Sequence, residues 1–172
     1  MENTNLSYTC YVFVSNMLSD RAIGVQGAHA VAELSILGDS NYENYVRNHK
    51  RMIYLNGGST NKNKENKGYL NSLLEEIIGL GVCKVGTFYE ENVGDQLTAF
   101  AFITDERVYD HKKYPFFEEY VRDKPRIYFA NGKPRYNSLE EEFPLDYERY
   151  LEGIGGEANY KLKKILGSAK TI

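Results

Sequence analysis

A chain of 172 residues suits one domain with an appendage and is too short for two independent large ones. Its formal charge of -3 argues against a surface that grips polyanions everywhere, because nonspecific nucleic-acid affinity rises with the number of phosphates neutralised, although a local basic patch is allowed. The longest apolar stretches, Tyr11 to Val14 and Leu97 to Ile103, fall far below the ~20 residues of a membrane span, so no membrane partner is expected.

Tyr8 to Val14 (YTCYVFV) is aromatic and β-branched and has the length of a buried strand. Ser19-Asp20 supplies an N-cap, Arg21 to Leu37 reads as a helix, and Gly38-Asp39-Ser40 ends it. Strand, short turn and helix open a βαβ unit. At about 100° per residue the helix puts Ile23, Gly27, Val31 and Leu34 on a core face, with Gly24 and Ala28 at its margin. Such small residues suit close packing on a sheet, or a seam between two copies. The opposite stripe holds Ala22, Gln26, His29 and Glu33, which stack because consecutive members lie three or four residues apart.

Asn41 to Lys50 reads as a short surface helix and Arg51 to Leu55 as a second strand. In the loop Asn56-Gly57-Gly58-Ser59-Thr60, glycines let the backbone approach a ligand, and N–H groups can face an anion. The GxxxxGK[ST] lysine is missing, which excludes a Walker-type phosphate loop. The polar, low-complexity NKNKENKG is expected to be mobile. Tyr69 to Ile78 restores helical period and Gly79-Leu80-Gly81 stops it; Val82 to Tyr89 and Leu97 to Thr104 then complete the sheet around the acidic loop Glu90 to Asp95. The expected fold is α/β: a three-layer domain over residues 8–110, with a mixed, mostly parallel four-stranded sheet and helices on both faces.

After Asp110 the texture changes to aromatics and charges. A C-terminal hairpin and helix appendage is expected over residues 111–172: a hairpin from Arg126 to Tyr136 turning at Asn131-Gly132, then LEEEF, then an amphipathic helix from about Glu157 to Leu166. Arg122, Lys124, Arg126, Lys133 and Arg135 interleave there with Tyr128, Phe129 and Tyr136. Cations beside rings suit phosphate pairing and base stacking, and equally a solvated surface. Folded over the first helix, or over a neighbour's, the hairpin would close a pocket.

Cys10 and Cys83 stand beside strand-like runs and read as buried thiols, not a disulfide framework. Three histidines without ligand spacing predict no metal, and no cofactor is expected. Fifteen tyrosines without a tryptophan supply amphipathic rings for a ligand cleft or a half-exposed core. The opening MENTNLSYT carries acid and amide side chains where a secretory signal would be basic and then apolar, so a cytoplasmic location is expected.

The strand YVFV, the helix motif Gln26-Gly27-Ala28-His29-Ala30, the Asn56-Gly57 strand end, the closing Gly79-Leu80-Gly81-Val82 and the strand Thr98 to Thr104 resemble class II peptidyl-tRNA hydrolases in order and spacing. The likeness covers about the first 110 residues and is closest in texture to a divergent, phage-encoded branch, which would act in the host cytoplasm. In that family a lysine four residues before the glutamine helps bind or polarise the ester joining peptide to tRNA. Here the matching position is Ala22; Arg21 is adjacent but points about 100° away on the helix. Glu90 or Glu91 matches the family's acidic loop residue, and Thr98 its threonine. Ester hydrolysis draws ~3 to 4 kcal/mol from each oxyanion donor, and an alanine donates nothing.

The resemblance, less its amine, implies three functions. The first is noncatalytic binding of a small nucleotide, as in a phage sponge that sequesters a host's nucleotide immune signal. The second is a working peptidyl-tRNA hydrolase with tRNA as partner and Arg21, Glu90 and Thr98 as catalytic groups. The third is a protein-interaction module on the same fold. The expected ligand contacts are Gln26, His29, Glu33, Asn56, Gly57, Thr98, Arg126, Tyr128 and Arg135, and a homo-oligomer is expected. Blander readings stand beside these: His29 paired with Glu33, Gln26 in a helix-to-loop hydrogen bond, and Glu90-Glu91 as a solvated loop tip.

Overall fold

A computed structural model describes residues 6–61 and 66–172. Four strands, β1 (Tyr8–Val14), β2 (Arg51–Asn56), β3 (Val85–Glu90) and β4 (Gln96–Asp105), form one sheet in the order β2-β1-β4-β3. Helices α1 (Asp20–Ser35) and α2 (Ser40–Asn48) cover one face, and α3 (Tyr69–Leu80) covers the other. The chain is therefore the expected α/β fold with helices on both faces. The sheet is mixed but not mostly parallel: only β1 and β2 run parallel, while β1–β4 and β3–β4 are antiparallel. The reason is connection length. Five residues separate β3 from β4, room for a tight return but not for the crossover of a dozen or more residues that a parallel neighbour requires.

The two faces pack differently. Towards α3 the sheet presents Phe13, Phe100 and Phe102, stacked with ring centroids 5.1 to 6.4 Å apart. Towards α1 it presents Val12, Val14, Ala99 and Ala101, together with Gly86 of β3. Small side chains there let α1 lie low on the sheet through Gly27, Ala30 and Leu34, all buried. The expectation that Gly24 and Ala28 allow this approach is corrected: both are exposed, and a Cβ on Gly24 would meet nothing within 4 Å. Gly27 does allow it, since a Cβ there would overlap the Tyr54 ring of β2, and Gly86 answers it from β3.

The segment after β4 is more helical than expected: α4 (Glu106–Tyr109), α5 (Phe117–Tyr120), α6 (Leu139–Glu142), α7 (Pro144–Ile154) and α8 (Glu157–Ser168). Pro144 starts α7, where its missing N–H has no partner to lose, and Gly155 ends it in the left-handed conformation. Much of the tyrosine excess is core: Tyr150 and Tyr160 are buried with Phe117, Val121 and Ile154, and Tyr147 packs against them. Leu162 of α8 joins Phe13 and Phe100 in the main cluster, so this segment finishes on the sheet. The expected hairpin at Asn131-Gly132 does turn, with Phe129 N–H donating to Lys133 O and one bridge between Tyr128 and Pro134, but forms no strands. Pro134 has no N–H for a ladder, and an exposed two-stranded ribbon is marginal alone.

No helix among the described residues is long and apolar enough to cross a membrane, and no cluster of three His, Cys, Asp or Glu there could hold a metal. In NKNKENKG, residues 62–65 lie outside the described residues, so its expected mobility does too.

Candidate functional site

Ligands of open α/β sheets gather at the carboxyl ends of the parallel strands, where loops and helix starts meet. In this chain that edge holds the end of β1, the Asn56 loop, the start of β4, the end of β3 and the first turns of α1. Ser19 caps α1, its side chain accepting from Ala22 N–H at 3.4 Å, and Gln26 follows one turn later.

Gln26 is the centre of a polar network. Its Nε2 donates to Glu90 Oε2 at 2.9 Å, and its Oε1 faces the Thr98 hydroxyl at 3.1 Å. That hydroxyl also lies 3.3 Å from Phe88 O, and with one proton it donates to one acceptor at a time. Asn92 Nδ2 donates to the other Glu90 oxygen at 3.1 Å, holding the carboxylate in place. Beside the network, the exposed His29 ring stacks on Phe88 with centroids 4.4 Å apart and planes 15° from parallel.

Thr98 reaches Gln26 only because β4 bulges. Phe88 pairs with Ala99 and Tyr89 with Leu97, leaving Thr98 without a partner on β3. Leu97 packs on the α3 side and Ala99 on the α1 side, so simple alternation would turn Thr98 away from α1. The extra residue breaks the alternation and aims the hydroxyl at α1, as bulges do. Thr98 is itself only 3% exposed, so its hydroxyl acts through Gln26.

Of the residues expected to touch a ligand, Gln26, Thr98 and His29 come together, and Glu90 joins them. Glu33 is exposed one turn beyond His29, with no hydrogen bond or ion pair between the two. Glu91 opens a short 3-10 turn (Glu91–Val93) and forms no pair with Glu90. Arg21 is exposed and makes no hydrogen bond or ion pair among the described residues.

The Asn56-Gly57-Gly58 loop does not offer its backbone to an anion. Gly57 N–H donates to Val14 O and Gly58 N–H to Asn56 Oδ1, both at 2.8 Å, and Gly57 is buried against Leu70. Only the Asn56 Nδ2 hydrogens remain. Arg126, Tyr128 and Arg135 are not brought to Gln26 either. Arg126 Nε donates to Glu142 at 2.9 Å, Lys124 pairs with Asp146, and no hydrogen bond, ion pair or ring contact joins the hairpin to α1. The hairpin is anchored on α6 and α7, beyond the far end of β4 from Thr98.

Asn61, inside the stretch read as low complexity, is a structural residue that the sequence conceals. It is 7% exposed, and its Oδ1 accepts from Leu97 N–H at 3.0 Å and Asn71 Nδ2 at 3.2 Å, while the neighbouring Thr60 hydroxyl donates to Leu97 O, tying the loop to the start of β4 beside Thr98. Asn61→Ala leaves the Leu97 N–H buried without its acceptor. We expect a loss of about 2 kcal/mol, measured by urea unfolding.

A larger cavity of about 770 Å³ opens at the opposite end of the sheet, lined by Tyr8, Asn41, Asp105, Arg107, Glu152 and Asn159 among others. Among the described residues its one cation, Arg107, is held by both Asp105 oxygens, at 2.9 and 2.7 Å, and Glu152 leaves that lining net acidic. A phosphate gains nothing there.

The chain matches no protein-family model and no curated protein.

Proposed function

We propose that this chain binds a small nucleotide without cleaving it, and so sequesters it, as a phage sponge would a host's nucleotide immune signal. The observation that carries the reading is the Gln26 amide, held between Thr98 and Glu90 beside the stacked His29 and Phe88 rings. Such a surface suits a nucleoside: a carboxylate and an amide for ribose hydroxyls and base amino groups, and a flat ring pair for stacking. Among the described residues no lysine or arginine bonds to any of these groups, and Ala22 stands where the resembling family keeps its amine. A developing oxyanion finds no cation bonded to this network among the described residues.

The second reading, a peptidyl-tRNA hydrolase, is favoured by one observation: Glu90 and Thr98 meet on the same glutamine. Denaturing the purified protein and analysing the supernatant separates the two readings. An intact nucleotide released on heating supports binding; cleavage of a blocked aminoacyl-tRNA by the native protein refutes it. Gln26→Ala is expected to weaken nucleotide binding by about 1 to 3 kcal/mol, read by calorimetry. Any part the hairpin rings play comes from a second copy, consistent with a homo-oligomer.

A further inference from the structure

The α3 side of the same sheet edge holds a second cavity of about 290 Å³, between the start of α3 and the end of α8. Phe13, Leu73 and Ile165 give it an apolar lining, and Asn56, Tyr69 and Lys170 give it polar groups. The chain after α8 runs antiparallel along β2: Asn56 N–H donates to Lys170 O at 2.9 Å, and Leu55 bridges Thr171. This pairing fixes the backbone that carries Lys170.

Among the described residues the Lys170 ammonium has no hydrogen bond or ion pair, and no carboxylate lines the cavity. Asn56 Oδ1 accepts from Gly58 N–H, which orients the amide and leaves its Nδ2 as donor. The Tyr69 ring lies over Gly58, a residue at φ +73° whose missing Cβ would sit 3.0 Å from Tyr69 Cδ1. The cavity thus combines an apolar floor, an aromatic wall, the Asn56 amide and, at its rim, the exposed Lys170 ammonium, unpaired among the described residues. Its size is at the low end for small-molecule sites.

We infer that this cavity binds a small aromatic anion, its ring against Phe13, Leu73 and Ile165 and its charge at Lys170. The inference does not rest on the nucleotide reading of the α1 face. An aromatic carboxylate and a nucleoside monophosphate share the required chemistry, and competition separates them.

The test is a fluorescence titration of the full chain with anilinonaphthalenesulfonate, an aromatic sulfonate, followed by displacement with salicylate and with adenosine monophosphate. Saturable one-to-one binding is expected, weakened about fivefold by Lys170→Gln. Ser168→Trp, an exposed substitution at the cavity mouth, should abolish it while the circular dichroism spectrum is retained. Whichever competitor displaces the probe names the ligand class. No saturable binding, binding unchanged in both variants, or a probe that neither competitor displaces overturns the inference. Failure of the α1-face reading shows in Gln26→Ala and failure of this one in Lys170→Gln, so the two are told apart.

Discussion

Replacing Gly86 with alanine is expected to cost about 3 kcal/mol, at the upper end of overpacking penalties, although it adds a single methyl group. A Cβ on Gly86 would overlap the Leu34 amide nitrogen and the Ala30 carbonyl oxygen, and lie only 2.7 Å from Leu34 Cα. These atoms are the backbone of α1. A side chain could rotate aside; a hydrogen-bonded helix moves only as a body, and α1 carries Gln26 and His29 with it. Urea unfolding should show a lower midpoint with an unchanged slope, and the His29–Phe88 stack should loosen. Gly24→Ala is the control. Its Cβ meets nothing within 4 Å, so in a helix interior it should stabilise by about 0.5 to 1 kcal/mol. Equal effects at the two glycines would contradict the packing described above.

Alkaline pH is expected to unfold the protein by about pH 11. Burial pushes the thiols of Cys10 and Cys83 up to about 12, and does the same to the hydroxyls of Tyr11 and Tyr45. Tyr147, Tyr150 and Tyr160 are raised further by burial, with nearby glutamates adding to it. The unfolded chain releases these protons from about pH 9 for thiols and about pH 10 for tyrosines. Above those values the native state holds more protons than the unfolded state, so stability falls as pH rises. Each group removes about 1.4 kcal/mol per pH unit until its folded value is reached.

Lys163 opposes this trend. It is fully buried, with one hydrogen bond to Val108 O at 3.3 Å, and burial lowers its ammonium to about 8. Its strain is complete below that pH and is relieved as pH climbs towards the ordinary lysine value. One lysine against two buried thiols and five tyrosine hydroxyls, most of the latter discounted because water still screens them, leaves a net loss on the order of 5 kcal/mol by about pH 11, a large share of the stability of a domain. The last share of the tyrosinate absorbance, that of the buried rings, should appear together with the loss of circular dichroism, because those rings ionise only on unfolding, whereas exposed rings such as Tyr69 and Tyr128 do not report it. Complete tyrosinate absorbance before the helical signal is lost would refute the argument. Cys10→Ala should flatten the fall between about pH 9 and about pH 12 by one group's share.

The first three elements were legible because each rests on a local rule. β1 has the bounds read from its aromatic, β-branched run, and Ser19 caps α1 as its hydroxyl predicts. The stripe of Gln26 and His29 follows from helical period alone, and the two do lie along the β3 and β4 side of α1. The helices after Asp110 were not legible beyond α8. Two of them, α5 and α6, span four residues each, too short to show a period, and what holds α5 and α7 together is the Phe117–Tyr150–Tyr160 cluster, assembled from distant positions.

Length, charge and pattern by themselves determined an α/β chain with a polar stripe on its first helix, since helical and strand periods are properties of neighbouring residues. Only the tertiary structure decided what that stripe meets. The β4 bulge that delivers Thr98, the glycine that admits α1, and the burial of Asn61 are relations between segments far apart in the chain. They depend on register and on the distance between layers, which no local spacing of residues encodes.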